Sequence, residues 1–387
     1  MIYLKKPKNI FVIGSKGIPA NYGGFETFVE NLTKKQTIDD IKYHVACLDE
    51  KEYTEEYNGA SCFHLNIPHI GPAKAIYYDL AALNYVLNYI DSHYYAQNGV
   101  VYILACRIGP WMKKYVKQFH QRGYKVYVNP DGHEFLRAKW NYFIKKYWKF
   151  SEKLMVKYAD LLICDSKNIE SYIQDEYKKY KPTTTYISYG ADAIEISEAD
   201  NYQEWLDRFG IRKNEYYLIV GRFVPENNYE TMIKEFMKSN TNKDLVIVTD
   251  HQNKLYTRLN TKLKFENDDR VKFVGTVYDD VLLKTIRKNA FAYLHGHEVG
   301  GTNPSLLEAL GTTKLNLLLN VGFNQEVGLD NCIYWGKEKN NLRYVIEHIE
   351  TFDQSYIDEL GKNSKERVKE AYNWTKIIKE YENLFTK

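Results

Sequence analysis

Short apolar runs that end in Gly, Asn or Asp recur along the whole chain. The first is Asn9–Gly14 (NIFVIG). Tyr43–Leu48, Val100–Cys106, Lys125–Val128 and Leu161–Cys164 follow. The second half repeats the pattern at Tyr216–Val220, Leu245–Thr249, Val271–Val274, Ala292–Leu294 and Leu315–Leu319. Near-continuous apolar runs of this length predict strands buried on both faces. Amphipathic segments lie between them, such as the helix predicted over Phe25–Leu32. Strands alternating with helices predict an α/β architecture of parallel sheets with right-handed crossovers. Ligands of such sheets sit at the C-terminal ends of the strands.

A length of 387 residues suits two domains of roughly 190 each. The weakest pattern lies at Gly190–Asn201 (GADAIEISEADN), which we read as the linker. The expected division is therefore 1–193 and 194–371. The last helix, over 372–387, places Ile377, Tyr381, Leu384 and Phe385 on one face. It packs either on the second domain or back across the first.

The chemistry concentrates in Ala292–Gly311 (AYLHGHEVGGTNPSLLEALG). A strand leads into a glycine-rich loop and a helix opened by Asn303-Pro304, a good N-cap and first-turn pair. Gly300, Gly301 and Thr302 allow backbone N–H groups to crowd toward a ligand. The helix start, with Ser305, favours an anionic group. Glu308 lies one turn in and can accept hydrogen bonds from hydroxyls. An ordinary βα connection would carry many of the same residues. Gly221-Arg222 ends another strand, and a guanidinium there can bond phosphate in bidentate fashion. In the first half, Lys16, Gly17, Gly23, Gly24 and Glu26 follow a strand and open a helix. Arg107 and Asp131-Gly132-His133 also lie at strand ends.

Composition removes alternatives. Hydrophobic residues make up 44% of the chain and the net charge is only +3, which gives no electrostatic case for nucleic acid. Five scattered cysteines (Cys47, Cys62, Cys106, Cys164, Cys332) form no CxxC pair, which argues for a reducing compartment and against a zinc site. His295 and His297 bracket a glycine, a weak metal signal, so no metal and no cofactor are expected. No apolar run is long enough to span a bilayer. The first loop lacks the G-x-G-x-x-G expected of a dinucleotide-dependent dehydrogenase.

Six segments together carry a family resemblance: Ile13–Leu32, Asn129–Trp140, Lys157–Ile169, Gly221–Ile233, Lys272–Val277 and His295–Leu310. In these the chain resembles the retaining glycosyltransferases of family 4. More narrowly, it resembles bacterial β-1,4-rhamnosyltransferases of cell-wall and capsular polysaccharide synthesis. The resemblance implies a GT-B fold, two Rossmann-like parallel-sheet domains facing a cleft, with acceptor binding in the first and nucleotide-sugar binding in the second. It implies that Gly300–Ser305 hold the donor sugar and pyrophosphate, that Glu308 bonds the ribose, and that Arg222 clamps phosphate. It sets His133 beside the donor sugar and the turn ending at Val277 beside the nucleobase. The loop bearing Gly23, Gly24 and Glu26 would lie at the cleft mouth, opposite Asp131. Two positions depart from the family: Gly300 stands where a Glu is usual, and Asn227 where a Lys is usual. Glu298 is a candidate replacement for the carboxylate, and Lys16 or Arg107 for the cation.

The implied reaction is transfer of L-rhamnose from dTDP-β-L-rhamnose to an undecaprenyl-pyrophosphate-linked sugar, GlcNAc first and glucose second. Other readings are a family 4 enzyme using a UDP-hexose, a nucleotide-sugar epimerase, and a non-catalytic sugar-nucleotide-binding subunit. A homodimer is compatible with all of these. Arg137–Tyr158 adds a signal of its own, with seven basic residues and one acid. Lys145, Lys149, Lys153 and Lys157 make an i,i+4 ridge. Trp140, Phe143, Ile144, Tyr147, Trp148, Leu154, Met155 and Tyr158 make the facing stripe. This is either a core-facing helix with a solvated ridge or a surface for anionic lipid. The expected location is cytoplasmic, peripheral on the inner face of the membrane.

Overall fold

The computed structural model describes residues 7–20, 23–93, 98–192 and 197–387. The chain divides into two compact units, Met1–Gly190 with Trp374–Lys387, and Ala191–Asn373. The 193/194 division read from the sequence lies outside the described residues.

The first unit is built on β1 (Lys8–Ile13), β2 (Ile41–Asp49), β3 (Tyr53–Tyr57), β4 (Ala60–Asn66), β5 (Gly99–Leu104), β6 (Tyr124–Asn129), β7 (Leu161–Cys164) and β8 (Thr184–Tyr186). Their order in the sheet is β3-β4-β2-β1-β5-β6-β7-β8. All neighbours pair parallel except β3 with β4. Ile10, Phe11, Val12 and Ile13 are wholly buried, as a strand covered by helices on both faces requires. Each such side chain contributes about 1.5–3 kcal/mol by burial. The helix Trp374–Thr386 packs on this unit. The Tyr381 and Tyr102 hydroxyls lie 3.3 Å apart, and the Phe28 ring sits 5.0 Å from that of Tyr381. Buried Glu382 accepts the Thr37 backbone N–H at 2.6 Å.

The second unit contains β9 (Tyr216–Val220), β10 (Asp244–Val248), β11 (Val271–Gly275), β12 (Ala292–His295), β13 (Asn316–Leu319) and β14 (Ile333–Trp335). They run β11-β10-β9-β12-β13-β14, all parallel. The chain leaves β9 toward β10 on one side and returns on the other at β12. The order therefore reverses between β9 and β12, and in the first unit between β1 and β5. At such a reversal the loops leaving two adjacent strands splay to opposite faces and open a crevice at the strand ends.

Candidate functional site

In the second unit, the Arg222 loop leaves β9 and the glycine-rich loop leaves β12, side by side at that reversal. They are tied together from both ends. The Tyr293 hydroxyl donates to the Val220 carbonyl at 3.1 Å and lies 3.2 Å from Ser305 Oγ. Further out, Asn227 Nδ2 donates to the Arg222 carbonyl at 2.8 Å, while its Oδ1 lies 2.8 Å from His297 Nδ1. Asn228 Nδ2 donates to the Gly296 carbonyl at 2.9 Å, and the Glu298 N–H to the Glu226 carbonyl at 3.1 Å. Gly296 presses against the Asn227 carbonyl so closely that a Cβ would overlap it. Arg222, Asn227, Glu298, Gly300, Ser305 and Glu308 are thereby gathered beyond the C-terminal ends of β9 and β12. Val277, in the connection after β11, packs against the hydrophobic cluster of Leu218, Val248 and Ala309.

The helix Pro304–Thr312 begins as its sequence requires. Asn303 Oδ1 accepts the N–H groups of Ser305 at 2.9 Å and Leu306 at 3.3 Å. That cap occupies first-turn amides that an anion would otherwise use. The N–H groups of Gly300 and Gly301, in two buried residues, have no protein partner among the described residues. Unpaired backbone donors in buried residues are costly, and a ligand oxygen satisfies them. Gly300 adopts φ +123, a conformation L side chains rarely take. Glycine is therefore the residue this loop path demands.

The charged side chains divide into two groups. The exposed Arg222 guanidinium makes no ion pair or hydrogen bond with the described residues. Glu298 is committed: its carboxylate takes Lys337 and, at 3.1 Å, Asn228 Nδ2. Glu308 Oε2 pairs with Arg287 NH2 at 2.7 Å. His295 is fully buried and burial pushes its imidazole down to about 3, so it is a neutral core side chain. Among the described residues, no three His, Cys, Asp or Glu side chains converge as metal ligands do.

The first unit carries a second cluster, at the ends of β1, β5 and β6. Arg107 NH1 donates to the Gly14 carbonyl at 2.8 Å and meets Asp79 Oδ2 at 3.2 Å. Burial pushes the Asp79 carboxyl up to about 6, with Arg107 opposing. Arg107 is thus a strut between loops. Glu26 accepts the Lys16 backbone N–H at 2.7 Å, and Glu30 that of Ala20 at 2.7 Å. These two carboxylates pin the loop that contains Gly17 to the helix Gly24–Lys34, which starts just after Gly23. The Lys16 side chain is exposed. Asp131, Gly132 and His133 all have positive φ (58, 77 and 58). The two non-glycine residues that flank the glycine cost about 1–2 kcal/mol each in this region, strain of the kind that gathers at ligand sites. The His133 ring lies 4.2 Å from that of Tyr172, and burial, helped by Lys149, holds it below the usual imidazole range.

The basic helix, Tyr142–Tyr158, differs from the sequence expectation in two respects, at Lys149 and at Phe143. Lys149 leaves the ridge: its Nζ bonds Tyr172 Oη at 2.5 Å and Glu176 at 2.8 Å, and lies 4.7 Å over the Phe135 ring. Buried Glu152 draws it inward. Trp148 and Met155 are buried, whereas Phe143, at 80% exposure, Tyr142 and Phe150 face solvent.

Sequence reading missed Arg287, Asp79, Glu30, Asn228 and Lys337. Only Asp79 had a visible signal, an acid inside the apolar run YYDLAAL.

Comparison with known proteins agrees with this fold. The family model "Domain of unknown function (DUF1972)" matches residues 7–192. An uncharacterised glycosyltransferase of Methanocaldococcus jannaschii is 24% identical over 94% of each chain. Sucrose-phosphate synthase of Thermosynechococcus elongatus superposes with a TM-score of 0.77 at 18% identity, over 97% of this chain and 98% of the other. HepE of Anabaena, solved in complex with UDP, gives a TM-score of 0.68 at 15% identity, over 97% and 99%. The chain has the two-unit α/β fold of the GT-B glycosyltransferases.

Proposed function

We propose that this protein is a glycosyltransferase that moves a sugar from a nucleoside diphosphate to an acceptor hydroxyl. The observation that carries the reading is the β9/β12 reversal. There the Arg222 guanidinium and the amides of Gly300 and Gly301, all without a partner among the described residues, lie at the same strand ends as a half-exposed carboxylate, Glu308. That set suits a sugar pyrophosphate. As the glycosidic bond breaks, Arg222 and the loop amides would stabilise the charge growing on the diphosphate. The acceptor hydroxyl would attack from the same face and pass its proton to the departing phosphate oxygen, so the anomeric configuration is retained. Glu308 would bond the nucleoside sugar. His133, kept neutral by burial, is a candidate hydrogen-bonding group at the strand ends of the first unit. Glu298 is assigned a loop-bracing role through Lys337 and Asn228.

The donor we favour is dTDP-L-rhamnose, with a lipid-pyrophosphate-linked GlcNAc as acceptor and glucose as second choice. The family resemblance supports this, as does Gly300 replacing a sugar-contacting carboxylate. The exposed Tyr142, Phe143 and Phe150 among Lys145, Lys146 and Lys153 suit an anionic membrane surface that carries such an acceptor. Among the described residues, no helix is long and apolar enough to cross a membrane. The test is mass spectrometry of product from purified protein, dTDP-rhamnose and a short-chain lipid-pyrophosphate GlcNAc or glucose. A gain of one deoxyhexose is expected. Transfer from UDP-sugars alone would keep the reaction class and overturn the donor, and no transfer from any donor would overturn catalysis.

A further inference from the structure

Glu226 stands in the loop that leaves β9, after Arg222 and just before Asn227. It is 8% exposed, and its carboxyl Oε2 is buried with no hydrogen-bond partner among the described residues. Other buried acids are answered: Asp79 by Arg107, Glu152 by the Tyr172 and Tyr177 hydroxyls, Glu235 by Lys238 and Glu382 by Thr37. A buried acceptor without a donor is destabilising, so a ligand hydroxyl that reaches it gains the full difference. The main chain here is held firmly. The Glu226 carbonyl accepts the Glu298 N–H at 3.1 Å, and Asn228 Nδ2 donates to the Gly296 carbonyl at 2.9 Å.

The sheet sorts the loops around the crevice into two sides. Along β9, Tyr217 and Ile219 pack in one hydrophobic cluster and Tyr216 and Leu218 in another, so the two clusters lie on opposite faces. The Glu226 loop runs to the helix Tyr229–Met237, whose Met232 and Phe236 belong to the first cluster. Val277 and, on the helix that carries Glu308, Ala309 belong to the second. Arg222 and the amides of Gly300 and Gly301 stand where the two loops leave the sheet. With the diphosphate on these groups and the nucleoside on the Glu308 side, the transferred sugar falls on the Glu226 side. A phosphate there would be repelled by a carboxylate, whereas a sugar hydroxyl donates to it.

We propose that Glu226 is a specificity-determining residue for the transferred sugar, its Oε2 accepting a hydrogen bond from one sugar hydroxyl. This rests on the nucleotide-sugar reading and adds to it a group that separates one sugar from another on the same nucleotide.

The experiment is calorimetric titration of the full chain with dTDP against dTDP-rhamnose and UDP against UDP-glucose. The pair whose sugar adds more affinity on the wild type is carried forward; a sugar that adds nothing in either pair overturns the inference. Glu226→Met keeps the length of the side chain and removes both oxygens. It should weaken the nucleotide sugar by about tenfold or more and the bare diphosphate by no more than about twofold. Glu226→Gln, which keeps an acceptor but not the charge, should fall between. Tm of unliganded Glu226→Met should match or exceed that of the wild type, since an unanswered polar group has gone. A Glu226 that only braces its loop predicts the reverse, a lower Tm and equal loss on both ligands. Monodeoxy analogues of the sugar identify the hydroxyl: one should lose about tenfold on the wild type and nothing further on Glu226→Met. An unmoved ratio in folded Glu226→Met, or no monodeoxy analogue that weakens on the wild type, overturns the inference and spares the nucleotide reading. Failure of every nucleoside diphosphate to bind overturns both.

Discussion

Replacing Gly300 by Glu restores the carboxylate that the resembling family carries, and the structure predicts that this harms the site. The position a Cβ would take is 3.5 Å from His297 Nε2, an ordinary contact, so the cost is not a collision. It lies in the backbone: φ is +123, and a non-glycine residue held in so sparse a region costs about 1–3 kcal/mol. The loop can meet that cost in two ways. If it keeps its path, the second unit loses the whole amount, and each kcal/mol lowers Tm by roughly 2–4 °C in a domain of that size. If it relaxes, stability is kept, but the Gly300 and Gly301 amides leave the positions in which a phosphate would meet them. Nucleotide binding then weakens by about 5- to 150-fold. Thermal melts and calorimetry on Gly300→Ala and Gly300→Glu read both quantities, and the two losses should together amount to the backbone cost. The added carboxylate should give Glu no advantage over Ala. Wild-type Tm together with wild-type affinity in either variant would refute the backbone argument, as would donor binding recovered by Glu beyond Ala.

Arg222→Ala should depress kcat by about 10²–10³ with a smaller change in KM, since its guanidinium is assigned to charge that develops during bond breaking; a change confined to KM would remove it from the reaction step. Replacing Lys145, Lys146 and Lys153 by Gln, with Phe143→Ser, should weaken binding to anionic vesicles by about 1 kcal/mol per lysine and spare turnover on a soluble short-chain acceptor. Equal loss on both would make the surface structural. His295 gives a pH prediction. Folded, it stays neutral to about 3, while unfolded it takes a proton near 6.5. The unfolded state therefore binds more protons in that window, so stability is complete above the upper value and falls as pH falls. Between pH 7 and 5 the loss from this residue is about 2 kcal/mol. Denaturant melts of His295→Leu should show a correspondingly shallower decline, and an unchanged slope would refute the assignment.

The strands that frame both reversals were legible because they are buried on both faces and read as uninterrupted apolar runs. β3 was not, since YTEEY lies exposed at the sheet edge. The Asn58-Gly59 turn that joins it to β4, with φ of 50 and 74, was a local hairpin signal that went unused. β8 and β14 span only three residues each, too short to show any period. Among site residues, the glycine loop, its Asn303 cap and Arg222 sit where local pattern sets them. Arg287 could not be found that way, because its partners Ser305 and Glu308 lie on the next helix and meet it only through packing. For the same reason the pattern could not separate Lys149 from its neighbours on the ridge: burial of Glu152 beside Tyr172 and Tyr177 draws it inward.

The two positions that differ from the family this chain resembles, 227 and 300, are linked through His297. A lysine at position 227 would have only donors, and this site needs both a donor and an acceptor there. Asn227 donates its amide N–H to the Arg222 carbonyl, and its Oδ1 accepts from His297 Nδ1, so one side chain fixes both loops. His297 Nε2 is the atom nearest the place a Gly300 side chain would begin. A side chain at 300 would meet that ring and an adverse φ. Asn227 holds His297 in place, and the φ of +123 calls for glycine at 300 beside it. With Asn at 227, Arg222 is a cation that makes no ion pair with the described residues at the end of β9.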